Sequence, residues 1–207
     1  MLEDPRLVQE TTRHEYNHPL PQKHLEDGRV IYLSCNNFGP LQRATGIPCI
    51  TDFDRAVWGK AKHTGSVQTD VYRVPETILD SGYSYSADIW NLGVMLWDLL
   101  EGNDLFPVVA RDTDAYDESS HLAHITALLG PKPDHFPLGC FKHQPLVPSN
   151  FAFETSISCM QGEDKKMFID FVKRMIKWLP EERSPARELL QDPWLHPKLF
   201  NRSTGST

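Results

Sequence analysis

The stretch from Ala87 to Glu101 constrains this chain most. Its apolar residues Ile89, Trp90, Leu92, Val94, Met95, Leu96, Trp97, Leu99 and Leu100 fall on every face of a helix, and a helix that is apolar all round has to be buried. It also carries Asn91 and Asp98 and is too short for a bilayer, which needs about 20 residues. The spacing therefore predicts the central helix of a water-soluble core over 87–101, with Ser86 as its N-cap and Gly102 as the residue that closes it.

Two further helical patterns supply elements to pack against it. One runs from about Ser119 to Leu129 and stops at Gly130-Pro131. The other places Phe168, Ile169, Phe171, Val172, Met175, Ile176 and Leu179 at three- and four-residue intervals between Glu163 and Trp178, with Pro180 ending it. Ser184-Pro185 then opens a last helix, through Leu189 and Leu190 to about Asp192, in the preferred N-cap and first-turn arrangement. Residues 130–150 read as a Pro-rich excursion and 201–207 as a disordered tail.

Upstream the pattern weakens. Residues 1–47 read as a polar lead-in with one short strand, Arg29–Leu33. Ile47-Pro48-Cys49-Ile50-Thr51 reads as a short buried strand that ends on Asp52. Residues 54–86 are rich in Gly, Ser, Thr and Pro and read as a long loop, a feature that in compact domains is usually functional.

Charge and cysteine usage exclude several classes. Lys+Arg at 21 against Asp+Glu at 28 gives a net charge of −7, so no basic surplus points to nucleic acid or an anionic membrane. The four cysteines, Cys35, Cys49, Cys140 and Cys159, form no C-x-x-C pair, which argues against a zinc site or a disulfide framework. Neither a membrane span nor a secretory signal is predicted. The expected setting is intracellular, cytoplasmic or nuclear, with protein partners.

Three motifs carry chemistry: Asp52-Phe53-Asp54 after the short strand, Tyr72-Arg73-Val74-Pro75-Glu76, and Asp88-Ile89-Trp90-Asn91-Leu92-Gly93 at the head of the central helix. In this order they resemble the D-F-G, A-P-E and D-x-W motifs in the C-terminal lobe of a eukaryotic serine/threonine protein kinase. Ile89 to Gly102, His121-Leu122-Ala123, Leu128-Leu129-Gly130-Pro131, Glu181-Glu182-Arg183-Ser184 and the spacer-like Asp27 to Ser34 are similar to the SR-protein-kinase branch of the CMGC group. The likeness runs over about residues 26–196.

The resemblance implies a mainly α, α+β fold. It implies a protein-kinase-like C-terminal lobe over 48–200, with the N-terminal β lobe expected to be absent and an activation segment over 52–76. It implies that Asp52 is the ligand that holds Mg²⁺ on the phosphates of ATP, as suits a hard carboxylate; the alternative is a strand-ending Asp in an Asx turn. Asp54 stands where the family has glycine. Gln68, Thr69, Asp70, Val71, Tyr72 and Arg73 match the loop that faces the substrate residue, and Thr64, Ser66 and Thr69 are hydroxyls open to regulatory phosphorylation. Glu76 and Arg183 match a buried ion pair, which has to come as a pair because one buried charge alone is costly. Asp88 matches a carboxylate that binds catalytic-loop backbone; its other reading is a first-turn acid favoured by the helix dipole. Protein substrates, some of them Arg/Ser-rich, complement the acidic balance.

The rest of the catalytic apparatus does not occur in this sequence. No two of the twelve glycines stand two apart, so G-x-G-x-x-G is impossible, and no His is followed two positions later by Asp. A kinase needs a Gly-rich loop, a strand Lys and an H-R-D catalytic loop. Two readings of different class remain: part of an SR-protein-kinase-like catalytic domain that is inactive by itself, or a non-catalytic, pseudokinase-like binding protein.

Overall fold

The computed structural model describes residues 5–33, 49–59, 61–65, 67–108, 115–134, 136 and 147–196. The chain divides into two units, 1–55 and 56–207. Expectations for the tail 201–207, for most of 137–150 and for Ser66, Cys35 and Cys140 lie outside the described residues.

The first unit holds a helix, α1 (Pro5–Asn17), and an antiparallel hairpin of β1 (Gln22–His24) and β2 (Val30–Tyr32). Register pairs Gln22 with Tyr32 and His24 with Val30. Asp27 closes the turn by accepting from the Arg29 backbone and from Arg29 Nε, and Gly28 takes a φ of 84° that a side chain would resist. The sequence reading of a lead-in with a single strand therefore needs correcting: the strand has a partner, and a helix precedes both. Val8 and Tyr16 on α1 are 53% and 87% exposed.

Residues 49–52 form no strand, and Ile50 is 86% exposed. This too corrects the expectation of a buried strand leading to Asp52. A short apolar run becomes a strand only where a neighbour accepts its backbone hydrogen bonds, and among the described residues β1 and β2 pair only with each other.

The second unit is helical. It contains α2 (Pro75–Ile78), α3 (Ser86–Glu101), α4 (Glu118–Leu129), α5 (Phe153–Ser156), α6 (Gly162–Lys173) and α7 (Ala186–Leu189). Trp90, Val94 and Trp97 of α3 are fully buried. Trp97 lies 5.5 Å from both Phe153 and Phe168, and Trp90 stacks on Phe106 at 6.0 Å. Burying a large apolar side chain stabilises by about 1.5–3 kcal/mol, so this aromatic layer is the main source of cohesion. Gly93 is required by the packing: a Cβ there would sit 3.0 Å from Ile176 and Met175 atoms.

α3 is not buried on every face, contrary to the sequence reading. Met95 and Leu99 are 41% and 72% exposed. Its N-cap position is Tyr85 rather than Ser86, whose carbonyl instead accepts from Arg183. Gly102 closes it at φ 70°, as expected of a left-handed cap. α4 begins at Glu118, one residue before the predicted start, and Asp117 is its N-cap, with a carboxylate that accepts from the Ser119 amide.

α6 stops at Lys173, five residues short of the prediction. The Met175 and Ile176 amides both turn back onto the Val172 carbonyl, an unwinding that aims these side chains at Gly93 and lets Trp178 Nε1 donate to the Gly130 carbonyl. α7 starts at Ala186 with Pro185 in the capping position. Ser184 is not its cap because its hydroxyl accepts from Arg174 Nε and its amide donates to the Arg174 carbonyl.

Candidate functional site

Asp52 has a φ of 68°, and Phe53 beside it is 65% exposed at the start of a 3-10 turn, Phe53–Arg55, that includes Asp54. A non-glycine residue in the left-handed region is uncommon, and Asp tolerates it better than most. Asp52 belongs to the first unit. Every other site residue read from the sequence lies in the second.

There the segment leading to α2 is tied to the helical core at successive points. His63 and Tyr83 exchange backbone hydrogen bonds of 2.9 and 2.8 Å. Gln68 accepts from the Val74 amide at 2.9 Å and donates to Asn91 Oδ1 of α3 at 3.1 Å. A 3-10 turn, Asp70–Tyr72, follows. Tyr72 packs toward Asp98 of α3; burial, then the neighbouring Asp98 carboxyl, pushes its hydroxyl up to about 12. Burial likewise raises the Asp98 carboxyl, although that group also accepts from the Leu105 amide.

Arg73 pairs with Asp70, sits 4.5 Å above the Tyr116 ring and approaches Glu118 at 3.8 Å. Tyr116 in turn hydrogen-bonds His121 at 3.0 Å. Burial is the main reason the Tyr116 hydroxyl rises to about 12 and the His121 imidazole falls to about 3, so His121 is neutral across the physiological range.

Glu76 and Arg183 meet in the interior. The two terminal guanidinium nitrogens donate to the two carboxylate oxygens at 2.7 Å, and the Glu76 and Arg183 side chains are 1% and 0% exposed. Arg183 also donates to the Ser86 and Lys177 carbonyls and lies 5.1 Å from the Trp90 ring. Two elements 107 positions apart are thereby fixed to one another. Asp88 lies exposed in the first turn of α3, its carboxyl raised by partial burial.

Of the residues read from sequence, the structure gathers Gln68–Arg73, Glu76 and Arg183 beside α3 and keeps Asp52 in the other unit. Sequence reasoning did not single out Asn91, Asp98, Tyr116 or Glu118 as partners of this segment. Only the seven-residue interval between Asn91 and Asp98, which puts two polar groups on one face of an otherwise apolar helix, hinted at it.

This combination of a buried Glu–Arg clamp, a segment braced on a central Trp-bearing helix and the motif order above defines a protein kinase fold. The protein kinase domain family matches residues 41–195, and the chain belongs to that family. A serine/threonine protein kinase of Aspergillus fumigatus is 36% identical over 209 residues, covering 93% of this chain and 51% of that protein. SRSF protein kinase 3 of Mus musculus is 31% identical over 162 residues, 72% of this chain and 28% of the mouse protein. The chain thus spans about half the length of the fungal relative, and less of the mouse one. The crystal structure of the PF14_0431 kinase domain superimposes with a TM-score of 0.55 over 85% of this chain and 53% of that one, at 22% identity, a likeness of fold. Among the described residues no helix is long and apolar enough to cross a membrane.

Proposed function

We propose that this chain supplies the substrate-presenting, helical half of an SR-protein-kinase-like serine/threonine kinase domain, and that by itself it does not transfer phosphate. The observation that carries this reading is the bidentate Glu76–Arg183 pair, which anchors residues 68–76 to the helical core. Acceptor peptides would meet that loop, and the acidic Asp70 and Glu118, 43% and 62% exposed, favour basic, Arg-rich ones.

The residues present do not fit a complete Mg-ATP site. Asp52 offers one carboxylate, and among the described residues no group of three His, Cys, Asp or Glu side chains could hold a metal ion. In the complete family bound Mg-ATP supplies the phosphoryl group, and Asp52 is the residue of this chain that would contact the cation. Catalysis of that transfer is chiefly positioning and charge stabilisation, and one carboxylate supplies little of either.

Thermal unfolding with and without Mg-ATP tests the proposal. A ligand at a hundred times its dissociation constant would stabilise the fold by about 2.7 kcal/mol; no shift is expected. A saturable shift that Asp52→Asn abolishes would overturn the proposal. A non-catalytic binding protein is the second reading, favoured by Asp54 in place of glycine. The mass of the native cellular protein separates the two: a species well above 23.7 kDa supports the catalytic reading, and one at that mass supports the binding protein.

A further inference from the structure

Of the six residues expected to face substrate, four are turned inward, and of these Val71 and Tyr72 pack against the core cluster. Gln68 is half-buried, with both ends of its amide engaged, and the Arg73 side chain is only 12% exposed between Asp70, Tyr116 and Glu118. Thr69 is exposed and Asp70 is 43% exposed. The Gln68 amide has only one consistent orientation. The Val74 backbone N–H can only donate, so Oε1 of Gln68 faces it. Nε2 is then directed at Asn91, which answers with Oδ1.

We propose that Gln68 is a positioning residue: its amide, locked between Asn91 of α3 and the Val74 backbone, fixes the pose of the 69–73 turn and leaves Thr69 and Asp70 as the side chains offered to an acceptor peptide. The bridge spans the turn from its first flank to its last, so the turn cannot lift from α3 without breaking it. The assignment to peptide presentation rests on the proposed function; the bridge and its control of the turn do not.

Amide chemistry supplies a test that simple truncation would not. Gln68→Glu keeps an acceptor for Val74, and Asn91 can flip its amide to donate to the new carboxylate. Asn91→Asp keeps an acceptor for Gln68. Combining them puts two carboxylates face to face with no donor between them. Two readouts on the full chain are needed: amide hydrogen exchange at Val74 and 69–73, with α6 as internal control, and fluorescence anisotropy of a synthetic Arg/Ser-repeat peptide.

Each single variant should exchange within about threefold of the parent, while the double variant should lose about tenfold in protection at the turn alone. Protection should return near pH 4, where the two carboxyls share a proton. Gln68→Met, uncharged and unable to bridge, should loosen the turn as the double variant does and covers the case in which the double variant unfolds. Equal protection in the double variant, the singles and Gln68→Met would overturn the proposal. Peptide affinity falling in step with turn protection supports presentation by this loop. An exchange response as expected with no peptide binding by the parent chain would leave the brace standing and refute its assignment to peptide presentation.

Discussion

Arg183 places its guanidinium against two carboxylate oxygens, two backbone carbonyls and the face of Trp90. Because neither partner reaches water, removing one strands the other: Glu76→Gln or Arg183→Met should each cost about 3–5 kcal/mol in urea unfolding. The double variant should cost much less than the sum; simple additivity would mean that the two charges do not interact. The pairing was legible in sequence through its motifs, whereas the backbone carbonyls that share Arg183 were not, because no side-chain pattern encodes them. His121 makes a second residue-scale prediction. Burial, reinforced by the positive charge of His124 and Arg73, holds its imidazole at about 3. As pH falls below about 6.5 the unfolded chain takes up a proton that the folded chain refuses until about pH 3, so folding stability present above 6.5 is lost across that window. His121→Gln should flatten this part of the stability profile, measured as urea midpoints at pH 7.5 and 5.0. An unchanged slope would show that His121 is not the group responsible.

At the scale of elements, helices with an apolar stripe were readable, as were the glycine-closed ends of α3 and α4, but the end of α6 was not. α4 and α6 appear where three- and four-residue spacing places them, yet α6 yields its last predicted turn to the packing of Met175 and Ile176 against Gly93. That contact is tertiary, and periodicity carries no trace of it. α1 was missed because it is mostly polar: its two faces differ, but few apolar residues mark the difference. Gly93 allows the tertiary term to be weighed. Alanine would gain about 1 kcal/mol in helix propensity, but its Cβ would meet Ile176 Cγ1 and Met175 Cβ at 3.0 Å, and overpacking costs about 1–3 kcal/mol. Gly93→Ala should therefore lower stability by about 1 kcal/mol despite the better helix former. Gly102→Ala should also destabilise, there through its φ of 70° alone, since nothing lies within 4 Å. If Gly93→Ala proved stabilising, the approach of α3 to the 175–176 turn would be looser than the geometry states.

On the scale of the whole molecule, the sequence located the core better than the division of the chain. A single domain from residue 48 was expected, with Asp52 opening its functional segment; the break falls after Arg55, which leaves Asp52 on the other side. The motif order is that of the protein kinase family, whereas the division follows where apolar side chains actually collect. Every residue of the aromatic and aliphatic core cluster, and every partly buried residue packed on it, lies between Val67 and Trp194. Among the described residues none comes from α1, β1 or β2. If that cluster is the source of cooperativity, residues 1–55 add little to it. A chain beginning at Ala56 should then keep the near-ultraviolet circular dichroism of Trp90 and Trp97 and unfold within about 2 °C of the parent, since in a chain of this size 1 kcal/mol moves the midpoint by about 2–4 °C. Limited proteolysis of the parent should agree, with cleavage in 5–33 preceding any cut in 86–101, because the buried helix has to open with the core before it is accessible. A midpoint more than about 10 °C lower, or early cutting within α3, would mean that the helical unit depends on the first unit for its stability.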